Sequence, residues 1–82
     1  MSDSPVPIFV PDLGSGDEPM RVALWLLDVG LPVVAGERLV ELILPGITFD
    51  VTAPCDGVLC EIRRQERQPT HIGDILGHIS PL

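Results

Sequence analysis

The sequence repeats itself weakly at an interval of 37 residues, and this repeat constrains the fold more than any other feature. When the chain is shifted so that Gly36 falls on Gly73, Pro32 falls on Pro69. The other matched positions are apolar or acidic in both halves: Val22 with Leu59, Trp25 with Ile62, Glu37 with Asp74, Leu39 with Leu76, and Leu42 with Ile79. Two similar units can bury their apolar faces against one another. We therefore expect an all-β fold, a flattened barrel or sandwich of two small antiparallel sheets with pseudo-two-fold symmetry.

Proline and glycine, present nine and eight times, separate the apolar runs along the chain. Residues 48–52 alternate polar and apolar side chains, which is typical of a half-buried strand. Pro45 and Gly46 occupy the second and third positions of a turn, where proline presets φ and glycine tolerates the positive φ of a type II turn. A tight hairpin over residues 44–47 is therefore predicted at one end of the barrel, with the chain termini at the other. Strands are predicted over residues 8–10, 20–28, 38–44, 48–52, 58–63 and 74–79.

Length and charge disfavour several classes of function. The 82 residues suffice for one small domain, which we assign to residues 7–80 after a flexible leader over residues 1–6. Such a chain is too small for a deep catalytic cleft, so no enzymatic activity is expected. The net charge of −7 disfavours nucleic acid and anionic membranes as partners. Without a signal peptide or a long apolar span, the expected location is cytoplasmic.

The cysteines and histidines do not predict a metal site. Cys55 and Cys60 lack two further ligands in register, since His71 and His78 lie far along the chain. We expect free thiols, with Cys60 as a small buried hydrophobic residue in a strand and Cys55 exposed in a turn. A catalytic cysteine also needs a base and an orienting group, and no cleft is predicted to assemble them.

Four motifs, in order and at matching spacing, resemble the lipoyl and biotinyl carrier domain family. They are Pro-Asp-Leu-Gly at 11–14, Trp-Leu-Leu-Asp-Val-Gly at 25–30, Ala-Gly-Glu-Arg-Leu-Val-Glu at 35–41 and Ala-Pro-Cys-Asp-Gly-Val-Leu at 53–59. The resemblance covers residues 7–80 and implies the same two-sheet barrel that the repeat predicts. It also implies a lysine at the tip of the central hairpin, whose amine carries lipoate or biotin on an amide-linked arm.

The residue at that position is not a lysine. Counted back from the Ala-Pro motif at 53–54, the resemblance places the attachment position at Gly46, with Pro45 and Ile43 replacing acidic residues of the family pattern. The sequence contains no lysine anywhere, because its five basic residues are all arginine. We therefore predict that the hairpin is neither lipoylated nor biotinylated, and no cofactor is expected. A second departure is Arg67, which stands where the family has a turn glycine and leaves the geometry of that turn open.

The main functional hypothesis is a non-catalytic, unmodified domain that acts as a structural or protein-interaction module. Its candidate interaction hairpin comprises Leu44, Pro45, Gly46 and Ile47, and its partners would be enzymes of a 2-oxo acid dehydrogenase or carboxylase system. Ile43 and Phe49 extend the apolar character of this hairpin, although some of its side chains are expected to face inward and seal the barrel. The alternative is a carrier component of an acyltransferase or carboxylase complex. A third is a domain drifting towards loss of function, which one sequence does not separate from recruitment to a new role.

Overall fold

A computed structural model describes residues 4–14 and 19–82 and forms eight strands there, with no helix among the described residues. The strands are β1 (Val6–Phe9), β2 (Met20–Trp25), β3 (Pro32–Val33), β4 (Arg38–Leu44), β5 (Ile47–Thr52), β6 (Gly57–Ile62), β7 (Pro69–Thr70) and β8 (Ile75–Pro81). The leader predicted over residues 1–6 falls partly outside the described residues, and β1 already begins within it. Residues 15–18 of the predicted Gly-rich loop are also outside the described part of the chain.

The strands form two four-stranded antiparallel sheets. One sheet has the order β1-β8-β6-β3 and the other the order β5-β4-β2-β7. This arrangement confirms the predicted all-β fold of two small packed sheets. The alternation of side chains along each strand explains the packing, since one face of each sheet carries the apolar residues that meet in the core.

The register of the strands reproduces the 37-residue repeat. In one sheet Val22 pairs with Leu42, and in the other the equivalent pair is Leu59 with Ile79. Both strand pairs carry an irregularity directly after these residues, as expected for a β-bulge preserved in both halves. The pseudo-two-fold relation therefore extends from the turn motifs to the detailed pairing of the strands.

The core lies between the two sheets and is almost entirely aliphatic. Its buried hydrophobic residues are Ile8, Val10, Met20, Val22, Val33, Leu39, Val40, Leu42, Leu44, Val51, Ala53, Leu59, Leu76 and Ile79. Trp25 packs against this cluster while its indole Nε1–H donates a hydrogen bond of 2.8 Å to the carbonyl oxygen of Arg64. Trp25 is thus a core anchor with a satisfied polar group, as a half-buried tryptophan requires.

The two cysteine placements expected from the sequence are wrong. Cys60 is exposed, because it directly follows the buried Leu59 and successive side chains of a strand point to opposite faces. Cys55 is half-buried and packs against the core cluster from the turn before β6. The bulge between Leu59 and Glu61 leaves Glu61 exposed as well, although alternation alone would turn it inward.

Candidate interaction hairpin and attachment position

The candidate site is the hairpin that joins β4 to β5. Leu44 pairs with Ile47 across the turn, and Ile43 pairs with Thr48 on the next rung. Between the paired residues stand Pro45 and Gly46, and Gly46 has a φ of 80°. Positive φ at the third position is what a type II turn needs, so proline and glycine occupy the positions that suit them.

The side chains of the hairpin divide between the core and the solvent. Leu44 is only 4% exposed and seals the end of the barrel. Ile47 and Ile43 are 59% and 47% exposed, and Phe49 is 38% exposed on the strand that leaves the turn. The exposed apolar side chains of the tip are therefore Ile43 and Ile47, which the register places on opposite faces of the hairpin, while the Leu44 side chain is buried.

Gly46 does not fit a lipoyl or biotinyl group held through a lysine amide. It has no side-chain nitrogen, and the sequence supplies no lysine at a neighbouring position. The space around it is open, because a methyl group added to Gly46 would have no heavy atom within 4 Å apart from its chain neighbours. The obstacle to attachment is thus chemical, the missing amine, together with a backbone conformation that disfavours any residue with a Cβ.

Charged groups line the outer face of β4 and β5 beside the tip. Glu41 and Asp50 lie directly opposite one another in the register of the two strands. Arg38 donates a hydrogen bond of 3.2 Å from Nη1 to Oδ2 of Asp50 and forms an exposed ion pair with it. Glu41 has no ion-pair partner among the described residues, so these three side chains together carry an excess of one negative charge.

A second polar group lies on the outer face of the other sheet. The Glu61 Oε1 atom is 2.6 Å from Nδ1 of His78, and the Cys60 thiol donates to the His78 carbonyl oxygen over 3.4 Å. Within residues 4–14 and 19–82, no three His, Cys, Asp or Glu side chains are arranged to hold a metal ion. No helix in this part of the chain is long and apolar enough to cross a membrane.

Asp74 is a structural carboxylate in the turn before β8. Burial raises its pKa, but the His71 backbone N–H and the Thr70 hydroxyl donate hydrogen bonds to it, and Arg64 and His71 lie close to it. Together these partners hold the pKa of Asp74 below its ordinary value of 3.8. This carboxylate closes a turn and offers no free group for chemistry.

An apolar groove that the sequence did not predict lies between the two edge strands β1 and β5. It has a volume of about 410 Å³, with Pro7 and Phe9 on one wall and residues 49–54 on the other. The Phe9 side chain is 53% exposed at its rim. The sequence places one phenylalanine in each of two short strands. It does not show that these two strands are the edges of the sheets, because that depends on the strand order.

Comparisons with known proteins agree with this architecture. The family model described as "Biotin-requiring enzyme" matches residues 6–79. The dihydrolipoyllysine-residue succinyltransferase components of the 2-oxoglutarate dehydrogenase complexes of Rickettsia felis and Bacillus subtilis are 33% and 34% identical over 75 and 73 residues. These alignments cover 92% and 89% of the chain, but only 19% and 18% of those relatives, so the chain spans about a fifth of their length.

A solved structure gives the same result for the fold. The solution structure of the lipoyl domain of the 2-oxoglutarate dehydrogenase complex from Azotobacter vinelandii superposes with a TM-score of 0.72. The two sequences are 27% identical, and the match covers 90% of this chain and 94% of the domain.

Proposed function

Because the chain belongs to the biotin/lipoyl attachment domain family, we propose that it serves an acyltransferase-type enzyme complex as a domain that binds protein partners and carries no prosthetic group on its own hairpin. The observation that carries the proposal is Gly46 at the hairpin tip in a chain without lysine. The functional unit is residues 7–80, it has no catalytic residue of its own, and it works in the cytoplasm.

The relatives support the association with an enzyme complex more directly than they support the unmodified state. Their names describe components of a 2-oxoglutarate dehydrogenase complex, and this favours the alternative hypothesis of a carrier component over a module unrelated to such complexes. We therefore adopt the association with a complex from the alternative hypothesis. The unmodified state is retained from the main hypothesis because the attachment amine is missing.

Intact-mass spectrometry tests the unmodified state. After co-expression with a lipoate ligase or a biotin ligase, the mass of the wild-type chain is expected to stay unchanged. A lipoyl domain from a 2-oxoglutarate dehydrogenase complex, expressed in the same cells, verifies that the ligase is active. An increase by one lipoyl or biotinyl group on the wild-type chain would show that the carrier hypothesis is correct and the proposal wrong.

The variant Gly46→Lys sharpens the same experiment. It returns an amine to the tip, where open space surrounds the position. The positive φ of Gly46 makes any substitution unfavourable by about 1 kcal/mol, which a folded domain tolerates. If Gly46→Lys gains the group and the wild type does not, the missing amine alone accounts for the unmodified state.

Binding experiments test the role of the hairpin. The variants Ile43→Asp and Ile47→Asp place a charge on the exposed part of the tip, and each is expected to weaken binding to dehydrogenase or carboxylase components about tenfold. Val34→Asp is the matched control, since Val34 is equally exposed but belongs to the turn after β3. Unchanged binding by both tip variants would exclude the hairpin as the contact. Leu44→Asp is unsuitable, because a charge at this buried position would unfold the domain.

A further inference from the structure

The four edges of the two sheets are not equally protected against pairing with another chain. The edge strands are β1, β3, β5 and β7. Strands β3 and β7 are two residues long and each begins with proline, and β1 contains Pro7. Short strands and proline are common means of blocking an edge. Strand β5 has neither, since its six residues are Ile-Thr-Phe-Asp-Val-Thr, a sequence rich in residues that favour strands.

The hairpin geometry determines which backbone groups β5 offers. In a hairpin with a two-residue turn, the residues flanking the turn form a hydrogen-bonded pair, and alternate rungs then lack mutual bonds. Leu44 pairs with Ile47 in this way, so the backbone N–H and C=O groups of Thr48 and Asp50 point away from β4. The edge therefore presents donors and acceptors in the spacing of a strand.

The groove described above lies beside this edge. Phe49 and Val51 face the inner side of β5, since they pair with the core residues Leu42 and Val40. Phe9 stands across the groove on β1. A strand added to β5 would direct every second side chain into this apolar space, where it would contact Phe9 and Phe49.

The remaining side chains of an added strand would face the acidic side of the hairpin. Asp50 and Glu41 lie opposite one another there, and among the described residues only Asp50 is paired with an arginine, in a chain whose net charge is −7. A cationic side chain of the added strand directly beside Asp50 would be attracted by this negative charge. A second copy of the chain would instead bring like charges together.

We propose that β5 accepts an extended segment of a partner protein as a fifth strand of its sheet, in which apolar residues alternate with lysine or arginine. The apolar residues enter the groove between Phe9 and Phe49, and the basic residues lie beside Asp50 and Glu41. This inference specifies the partner surface of the proposed function, but its test needs no enzyme of any complex. Its failure is therefore distinguishable from failure of the unmodified state or of the hairpin contact.

The test is a titration of the full chain, labelled with nitrogen-15, by the peptide acetyl-VKVKVKV-amide. The expected result is a set of amide shift changes confined to β5 and the Phe9 region, together with slowed hydrogen exchange of the Thr48 and Asp50 amides. These amides exchange quickly in the free domain if the edge is open. The matched peptide acetyl-VEVEVEV-amide is expected to cause no such change, because its charges oppose Asp50.

Two variants separate the charge effect at this site from a general effect of net charge. Asp50→Lys is expected to weaken binding of the basic peptide about fivefold, as for one exposed ion pair. Asp28→Lys changes the net charge equally at an exposed position in the turn after β2, and unchanged affinity is expected.

Four outcomes would overturn the proposal. They are absence of binding at millimolar peptide, shift changes that map to another edge, equal binding of both peptides, and equal weakening by both variants. Protection of the Thr48 amide in the free chain with dimerisation in sedimentation would also contradict it, since β5 would then pair with a second copy.

Discussion

In the first half of the domain Trp25 lies opposite Val40, whereas at the equivalent rung of the second half Ile62 lies opposite Gly77. The backbone pairing is the same, but the side-chain volumes are distributed differently. A methyl group added at Gly77 would lie 3.3 Å from Cη2 of Trp25, so the large indole of one half reaches the space left by the glycine of the other. The two halves therefore form one complementary core, and neither is a copy of the other in packing.

The turn before the third strand of each half provides a second comparison. The Gly30 N–H donates to the Leu59 carbonyl oxygen over 2.7 Å, and at the equivalent position the Arg67 N–H donates to the Val22 carbonyl oxygen over 2.7 Å. Gly30 has a φ of 101° and Arg67 a φ of 74°. The second turn has a similar geometry with an arginine where the first has a glycine, so the fold imposes a strained conformation on the arginine.

The largest expected loss of stability comes from adding a side chain at Gly77, the small position next to Trp25. Gly77→Ala would place its Cβ 2.3 Å from the Glu61 carbonyl oxygen, a backbone atom that cannot turn aside. We expect the free energy of unfolding to fall by about 3 kcal/mol, at the upper end of overpacking effects. Urea denaturation followed by Trp25 fluorescence measures this change.

The control for this prediction is Gly36→Ala. Gly36 has a positive φ but no heavy atom near a prospective methyl group, so only the backbone cost of about 1 kcal/mol is expected. Equal losses in the two variants would contradict the idea that Gly77 is kept small by the strands and the indole packed against it.

These comparisons show where the sequence was sufficient and where it was not. The repeat predicted the two sheets, because equivalent turn residues and apolar positions must be satisfied in both halves by the same pairing. The Pro45–Gly46 turn was also predictable, since each residue has one conformational reason for its position. The exposure of Cys60 follows from alternation after the core position Leu59, whereas the exposure of Glu61 was not predictable, because a bulge shifts the alternation without a local sequence signal. The groove between Phe9 and Phe49 depends on two edge strands that are distant in sequence, β1 and β5, coming together.

A smaller change in the free energy of unfolding, in the stabilising direction, is expected at the turn that contains Arg67. Arg67→Gly would remove the unfavourable positive φ of a residue with a Cβ, while it would increase the conformational freedom of the unfolded chain. We expect a net stabilisation of about 0.5 kcal/mol, measured by the midpoint of urea denaturation at constant slope.

The mirror variant Gly30→Ala tests whether the two turns are equivalent. It introduces the same strain that Arg67 already bears, so a destabilisation of about 1 kcal/mol is expected. If Arg67→Gly destabilised the domain, contacts of the arginine side chain would outweigh backbone strain, and the two turns would not be comparable in energy.

The smallest effect concerns the acidic residues that close the equivalent turns before β4 and β8. Glu37 accepts a hydrogen bond of 3.1 Å from the Val34 N–H, and Asp74 accepts one of 2.9 Å from the His71 N–H. Asp74 also has Thr70 and Arg64 as partners. Among the described residues no basic side chain forms an ion pair with Glu37, so Asp74 has the stronger set of interactions.

The pH dependence of stability distinguishes the two turns. The folded state lowers the pKa of Asp74 below 3.8, so its stabilisation is fully present above this pH and is lost as the pH falls through the lowered pKa. Asp74→Asn is therefore expected to be less stable than the wild type at pH 6, and the gap should narrow below about pH 4, near the pKa of an unperturbed aspartate. Glu37→Gln, measured by the same thermal unfolding series, should show a smaller gap at pH 6. A gap for Asp74→Asn that stayed constant down to pH 2 would mean that the carboxylate acts through its shape and hydrogen bonds, without a contribution from its charge.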